Sequence, residues 1–243
     1  MVLVSPRNPL NMGAAARAMA NFGLSRLKVV APFAPNWREA ESAVGAPEIL
    51  TEATVTETLA DAVRDCSLVA GTGTLTFRKP EQRVVRLPDL PALVDDELKS
   101  GGRFAIVFGS EKHGLTREDL SLCHVLVEIP TDAGQPSMNL GQAVAVCLYE
   151  LATHISPSVE GQPEKESSRA LIDAVSHVAS SGSLELLAGV VEHVMEAANY
   201  SPEGMREANR HDMRLLLRRL APKEEDVRRI LGLFRRILWR LNR

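Results

Sequence analysis

FGSEKHGL, residues 108–115, runs an apolar strand end straight into two glycines that enclose one carboxylate and two potential cations. Gly109 and Gly114 lack a Cβ, so backbone there approaches a ligand closely. Working outward from this stretch, short β-branched runs recur at Val2 to Val4, Lys28 to Val30, Ser67 to Gly71, Phe104 to Phe108 and Val125 to Ile129. Helical patterns separate them, around Ala14 to Phe22, Glu57 to Arg64, Ala92 to Leu98 and Leu140 to Leu151. Strands that alternate with helices predict an α/β domain with a mostly parallel, two-sided sheet.

The next segment changes character. SPSVEGQPEKESS, residues 156–168, holds two prolines, a glycine and four serines with almost nothing apolar, the composition of a linker. Beyond it the pattern is helical only. Leu187, Val190, Val191, Val194 and Met195 share one helical face, and Val227, Ile230, Leu231, Phe234, Ile237, Leu238 and Leu241 form a stripe after a helix start marked by Pro222. The organisation expected is a domain over residues 1–155, a linker over 156–168 and a small helical C-terminal domain over 169–243.

Charge divides along the same line. The 243 residues carry a net −3, but from Met205 onward twelve Lys and Arg stand against five Asp and Glu, a local +7 that leaves −10 for the rest. Such asymmetry points to a tail that faces a polyanion, with Arg235, Arg236 and Arg240 lacking the acidic neighbours that Glu224 and Glu225 give Arg228 and Arg229. Three cysteines without CxxC spacing suit a reducing, cytoplasmic setting. Six histidines form no HxxxH or Cys/His cluster, so no metal site is expected. No apolar run reaches membrane-spanning length, and no leader is expected at the N-terminus.

Nucleotide chemistry finds little support. GTGT, residues 71–74, lacks the third glycine of a dinucleotide fingerprint because Thr76 stands there, and no GxxxxGK[ST] exists. Three other glycine-bearing stretches sit at strand ends or helix starts, where open α/β sheets keep their ligands: NMGAAAR (residues 11–17), FGSEKHGL, and QPSMNLGQAVAV (residues 135–146). Singly, each has a structural reading: Asn11 caps one helix, Ser137 or Asn139 caps another, and Gly109 serves a tight turn.

Together and in this order they mean more. An N-x-G-x-x-x-R segment after the first strand, F-G-x-E-x-x-G-L after an internal one and S-x-N-L opening a long helix resemble the three motifs of the SPOUT methyltransferases, in the TrmH-like branch. The linker and helical tail are similar to the members of that branch that methylate ribose 2′-hydroxyls in the tRNA anticodon loop. The resemblance implies a deep trefoil knot over roughly residues 105 to 150, a homodimer packed through it, and S-adenosylmethionine as cofactor. It further implies 2′-O-methylation of cytidine or uridine at position thirty-two. A ribosomal RNA 2′-O-methyltransferase of the same superfamily and a non-catalytic RNA-binding module are the alternatives.

By the same resemblance Thr72, Gly73, Gly109, Ile129, Ser137, Met138 and Leu140 line the cofactor, mostly through main-chain groups, and Gly109 lets the backbone approach it. Met138 stands where the family more often has leucine. Arg17 is the implied catalytic residue. A guanidinium stays protonated, so stabilising the developing 2′-oxyanion suits it better than acting as general base. Glu111 is expected to orient Arg17 or a neighbouring loop, with Asn11, Ser137 and Asn139 supplying short polar contacts. For RNA, two elements stand out: the basic stretch LTFRKPEQRVVR, residues 75–86, read as a loop carrying Arg78, Lys79, Arg83 and Arg86, and the arginine face of the last helix.

Overall fold

A computed structural model describes residues 1–33, 35–40, 42–73, 80–155, 178–200 and 203–243. Seven strands form one sheet: β1 (Val2–Val4), β2 (Lys28–Val30), β3 (Thr54–Thr56), β4 (Leu68–Thr72), β5 (Arg83–Arg86), β6 (Phe104–Phe108) and β7 (Val125–Glu128). Their order is β3-β2-β1-β6-β4-β7-β5, and every pairing is parallel. Parallel strands are covered on both faces, which is why the central ones read as unbroken apolar runs. Alternate residues feed two cores. Leu3, Ala70, Ile106, Phe108 and Val127 pack under α1 (Pro9–Asn21), α4 (Leu90–Lys99) and α6 (Leu140–His154), whereas Val2, Val4, Val69, Val107 and Leu126 pack under α3 (Leu59–Val63) and α5 (Arg117–Ser121). A short α2 (Pro47–Thr51) adds Ile49 and Leu50 to the first core.

The five expected strands are all present, and two more lie at the edges. Thr54–Thr56 escapes an apolar-run reading because it is short and largely exposed. Arg83–Arg86 corrects an expectation: it is not loop but an edge strand in parallel register with β7, with Val85 buried and both arginines exposed. Arg78 and Lys79 lie outside the described residues, as does the segment read as a linker.

The C-terminal helices are α7 (Ser181–Ala197), α8 (Arg206–Leu220) and α9 (Glu224–Leu241). Leu184, Leu187, Val191, Leu217, Val227 and Leu231 make their core. The apolar stripe of α9 is only partly used: Ile230, Ile237 and Leu241 remain exposed. The start of α7 docks on the sheet domain, where the Ser181 and Gly182 amides donate to the carbonyls of Cys66 (2.8 Å) and Arg64 (2.9 Å). A side chain at 182 would press on the Arg64 carbonyl oxygen at 3.0 Å. On α8, Arg214 reaches Glu118 of α5 (3.5 Å), and Arg214 and buried Arg218 share Glu185 of α7 (2.7 and 3.0 Å).

Candidate active site

Three adjacent strands, β6, β4 and β7, end at one crevice. Its walls are the loops that follow them, the positions where an open α/β sheet holds ligands. The crevice has a volume of about 300 Å³ and is bounded by Thr72 and Gly73 at the end of β4, by residues 108–115 at and after the end of β6, and by Glu128, Ile129, Thr131 and residues 136–138 at and after the end of β7. Leu140 and Ala143 of α6 complete it. All seven residues assigned to the cofactor on resemblance, Thr72, Gly73, Gly109, Ile129, Ser137, Met138 and Leu140, lie on this wall. Ser110, Lys112, His113 and Thr131 join them; only position within the same loops signals these in the sequence.

Gly109 corrects the reason given for it. A Cβ there would lie 2.1 Å from the Gly114 carbonyl carbon and 2.2 Å from the Leu115 nitrogen. The glycine admits the loop's own returning backbone, and Gly114 makes the turn at φ +65°. Thr72, at the end of β4, spends its hydroxyl on the Val107 carbonyl (3.0 Å), which joins two of the strands that end at the crevice.

A polar relay ties the three glycine-bearing stretches together. Glu111 accepts from the backbone amides of Arg7 (2.9 Å) and Asn8 (3.0 Å) and from Asn11 Nδ2 (3.0 Å). Asn11 Oδ1 accepts from Asn139 Nδ2 (2.9 Å), and Asn139 Oδ1 accepts from the Gly141 amide (2.9 Å), capping α6. Asn8, not Asn11, caps α1, with its Oδ1 accepting from the Leu10 amide (3.0 Å), which leaves the Asn11 side chain for the relay. Partial burial pushes the Glu111 carboxyl up. The hydrogen bonds from Asn11, Asn8 and Arg7 outweigh it and hold the group below its ordinary value, ionised at neutral pH. Helices α1 and α6 meet closely beside this relay: a Cβ on Gly141 would lie 2.8 Å from that of Ala14.

Arg17 stands apart. It is exposed on α1, lines no part of the crevice, and its side chain makes no hydrogen bond or ion pair among the described residues. Glu111 therefore positions the loop between β1 and α1 and not Arg17. Ser137 is exposed at the crevice wall, in a loop folded back by the Thr131 hydroxyl on the Pro136 carbonyl (3.3 Å). The charged tail divides in two. Arg206, Arg210, Arg214 and Arg218 on α8 are paired with glutamates of α7, so much of its positive charge faces inward. Arg235, Arg236 and Arg240 on α9 are exposed, and Arg236 and Arg243 lie over the Trp239 ring at 4.1 and 3.8 Å.

A crevice at parallel strand ends, walled by the loops that follow them and fastened by an Asn–Asn–Glu relay, agrees with what the sequence comparisons return. Residues 1–149 match the SpoU rRNA Methylase family, and the chain belongs to that family. It is 40% identical over 152 residues to the tRNA (cytidine/uridine/adenosine-2′-O-)-methyltransferase TrmJ of Pseudomonas aeruginosa, a match that covers 62% of this chain and 59% of that relative. The TrmJ of Citrobacter koseri, a tRNA (cytidine/uridine-2′-O-)-methyltransferase, is 30% identical over 243 residues, covering 96% of this chain and 93% of its own. Among solved structures, that of TrmJ from Z. mobilis superposes with a TM-score of 0.82 at 28% identity, covering 97% of each chain.

Proposed function

We propose that this protein transfers a methyl group from S-adenosylmethionine to a ribose 2′-hydroxyl of tRNA, with cytidine or uridine at position thirty-two of the anticodon loop as its target. The observation that carries the reading is the Glu111–Asn11–Asn139 relay, which joins the three motif stretches beside one crevice. The residues present suit the cofactor. The crevice is at the small end of the range for small-molecule sites, and its lining combines glycines and polar residues with the apolar Ile129, Met138 and Leu140. When bound, the cofactor supplies a methyl group on a positively charged sulfonium. Thr72, Gly73, Gly109, Ile129, Ser137, Met138 and Leu140 would hold it.

The chain's own contribution is to place a 2′-oxygen in line with that methyl and to stabilise charge on it. Arg17 suits the second task because its guanidinium has no competing carboxylate among the described residues. Its absence from the lining of its own crevice supports a homodimer in which Arg17 serves the partner's site. Exposed Leu10 on α1 and Val146 and Tyr149 on α6 offer an apolar surface for that pairing. The insertion of β6 between β1 and β4, and of β7 between β4 and β5, supports a knotted threading of the segment from about residue 105 to 150. No helix among the described residues is long and apolar enough to cross a membrane, which suits a cytoplasmic enzyme with a separate RNA-gripping domain at residues 169–243.

Incubation with labelled S-adenosylmethionine and tRNA transcripts, followed by mapping of ribose methylation, tests the reading. Methyl incorporation at the pyrimidine thirty-two ribose is expected. Incorporation into ribosomal RNA alone, or into neither, would overturn it.

A further inference from the structure

Two neighbouring strand ends turn in the same unusual way. Ser5, just past β1, has φ 46°, and Ala31, just past β2, has φ 42°; both are non-glycine residues in the left-handed region. The preceding residues, Val4 and Val30, are register partners. A left-handed L-residue costs about 1–2 kcal/mol, and such cost is characteristically found at functional sites. The turns are held by the Ser5 amide on the Val30 carbonyl (2.8 Å), the Ala31 amide on Thr56 (3.0 Å) and the Phe33 amide on Pro6 (3.1 Å).

Their result is to bring Arg7 and Phe33 together. The Arg7 guanidinium lies 4.3 Å from the centre of the Phe33 ring, yet Phe33 is 68% exposed. Arg7 is also exposed and makes no ion pair among the described residues. Packing does not account for the pair, since Phe33 belongs to neither core of the sheet domain. The position is close to the site: the Arg7 amide donates to Glu111, which lines the crevice.

An exposed aromatic ring carrying a planar cation suits a flat, electron-rich and negatively charged ligand. We infer that Arg7 and Phe33 form a stacking subsite for an unpaired base of the RNA, next to the ribose that is methylated. The inference rests on the RNA methyltransferase reading and adds a contact that none of the three motifs supplies. Unpaired bases stack on aromatic and guanidinium planes without regard to identity, so the pair would hold a splayed-out loop and not read its sequence.

Four variants of the full chain test it: Phe33→Ala, Phe33→Trp, Arg7→Ala and Arg7→Lys. The expected result is a KM for an anticodon stem-loop raised about tenfold by Phe33→Ala, restored by Phe33→Trp, and unaltered S-adenosylmethionine affinity in all four. Arg7→Lys should behave like Arg7→Ala, because an ammonium does not provide a stacking plane. A wild-type KM in Phe33→Ala overturns the inference, as does full rescue by Arg7→Lys, which would make the contact one of charge alone. A change of oligomeric state in Phe33→Ala, measured by sedimentation, would assign the surface to a second copy of the chain and also overturn it. Should the unaltered protein methylate no RNA, the enzymatic reading fails. The subsite is then decided by anisotropy of a fluorescent single-stranded oligonucleotide, with loss of binding in Phe33→Ala expected and equal binding overturning it.

Discussion

Asn139 donates through Nδ2 to Asn11 Oδ1 at 2.9 Å, across 128 positions of sequence. Each asparagine also serves a second partner: Asn11 gives its amide protons to Glu111, and Asn139 accepts from the first turn of α6. One hydrogen bond thus couples the first turn of α1 to the start of α6, and through Glu111 both to the loop after β6.

If the relay works as a unit, Asn11→Ala and Asn139→Ala should each lower the unfolding free energy by about 1–2 kcal/mol. The double variant should lose less than the sum, with a coupling of about 0.5–1.5 kcal/mol. Denaturant titrations of the four proteins measure this. Strict additivity would mean that the two asparagines act separately.

Glu111→Gln leaves one acceptor oxygen for three donors, so the loop between β1 and α1 should loosen and methyl transfer should fall about tenfold or more. The acid response is also set. Because the folded carboxyl is held below the ordinary 4.5, its contribution to stability is complete above that value and is lost as pH falls through the lowered one. Acid titration of stability should show this loss in the unaltered protein and not in Glu111→Gln.

Arg17→Ala should reduce methyl transfer by about 10²–10³-fold, the scale of removing one oxyanion donor, while calorimetry finds cofactor affinity unchanged. Mixing it with a variant carrying an altered cofactor loop should recover activity through hybrid dimers. No recovery despite demonstrated subunit exchange would place Arg17 and the crevice it serves in one chain.

His124 sets a second pH dependence, far from the crevice. The Val69 amide donates to its Nδ1 (3.1 Å), so the neutral ring carries its proton on Nε2, which meets no partner among the described residues. Burial, with the charge of Arg218 adding to it, pushes its pKa down to about 3. The unfolded chain takes up a proton near 6.5 that the folded chain refuses, so stability should fall on acidification between 6.5 and about 3, by up to about 1.4 kcal/mol per pH unit. His124→Asn, which keeps an acceptor for Val69, should flatten that slope. Parallel pH curves for the two proteins would count against the assignment.

Replacing Arg235, Arg236 and Arg240 by glutamine should weaken tRNA binding and flatten its salt dependence by roughly 0.7–0.9 in logarithmic slope for each phosphate no longer neutralised. Cofactor binding should be untouched. Unchanged tRNA affinity and slope would move the RNA grip to the sheet edge at Arg83 and Arg86.

Much of this architecture is legible from residue pattern. β1, β2, β4, β6 and β7 read clearly because central parallel strands are buried on both faces, while β3 and β5 hide because an edge strand needs few apolar residues: Thr54–Thr56 is mostly exposed and Arg83–Arg86 buries only Val85. The three motif stretches stand out as glycine-bearing strand ends or helix starts, and they do converge. Which partner each residue finds is another matter. The returning backbone that requires Gly109, and the amides of Arg7 and Asn8 that claim Glu111, belong to chain segments whose approach no local spacing encodes. Charge counting likewise overstates the tail, because sequence position does not tell that α8 turns its arginines toward α7.

The docking of α7 on the carbonyls of Arg64 and Cys66 has a consequence for target choice. With the helical unit fastened to the sheet domain, the span from α9 to the crevice is fixed. On the proposed reading, in which the α9 arginines hold RNA, that span would act as a caliper: an RNA held at one jaw would offer to the other only the nucleotide at the matching distance along its fold. Selection by length of this kind would add to whatever the crevice asks of the target base.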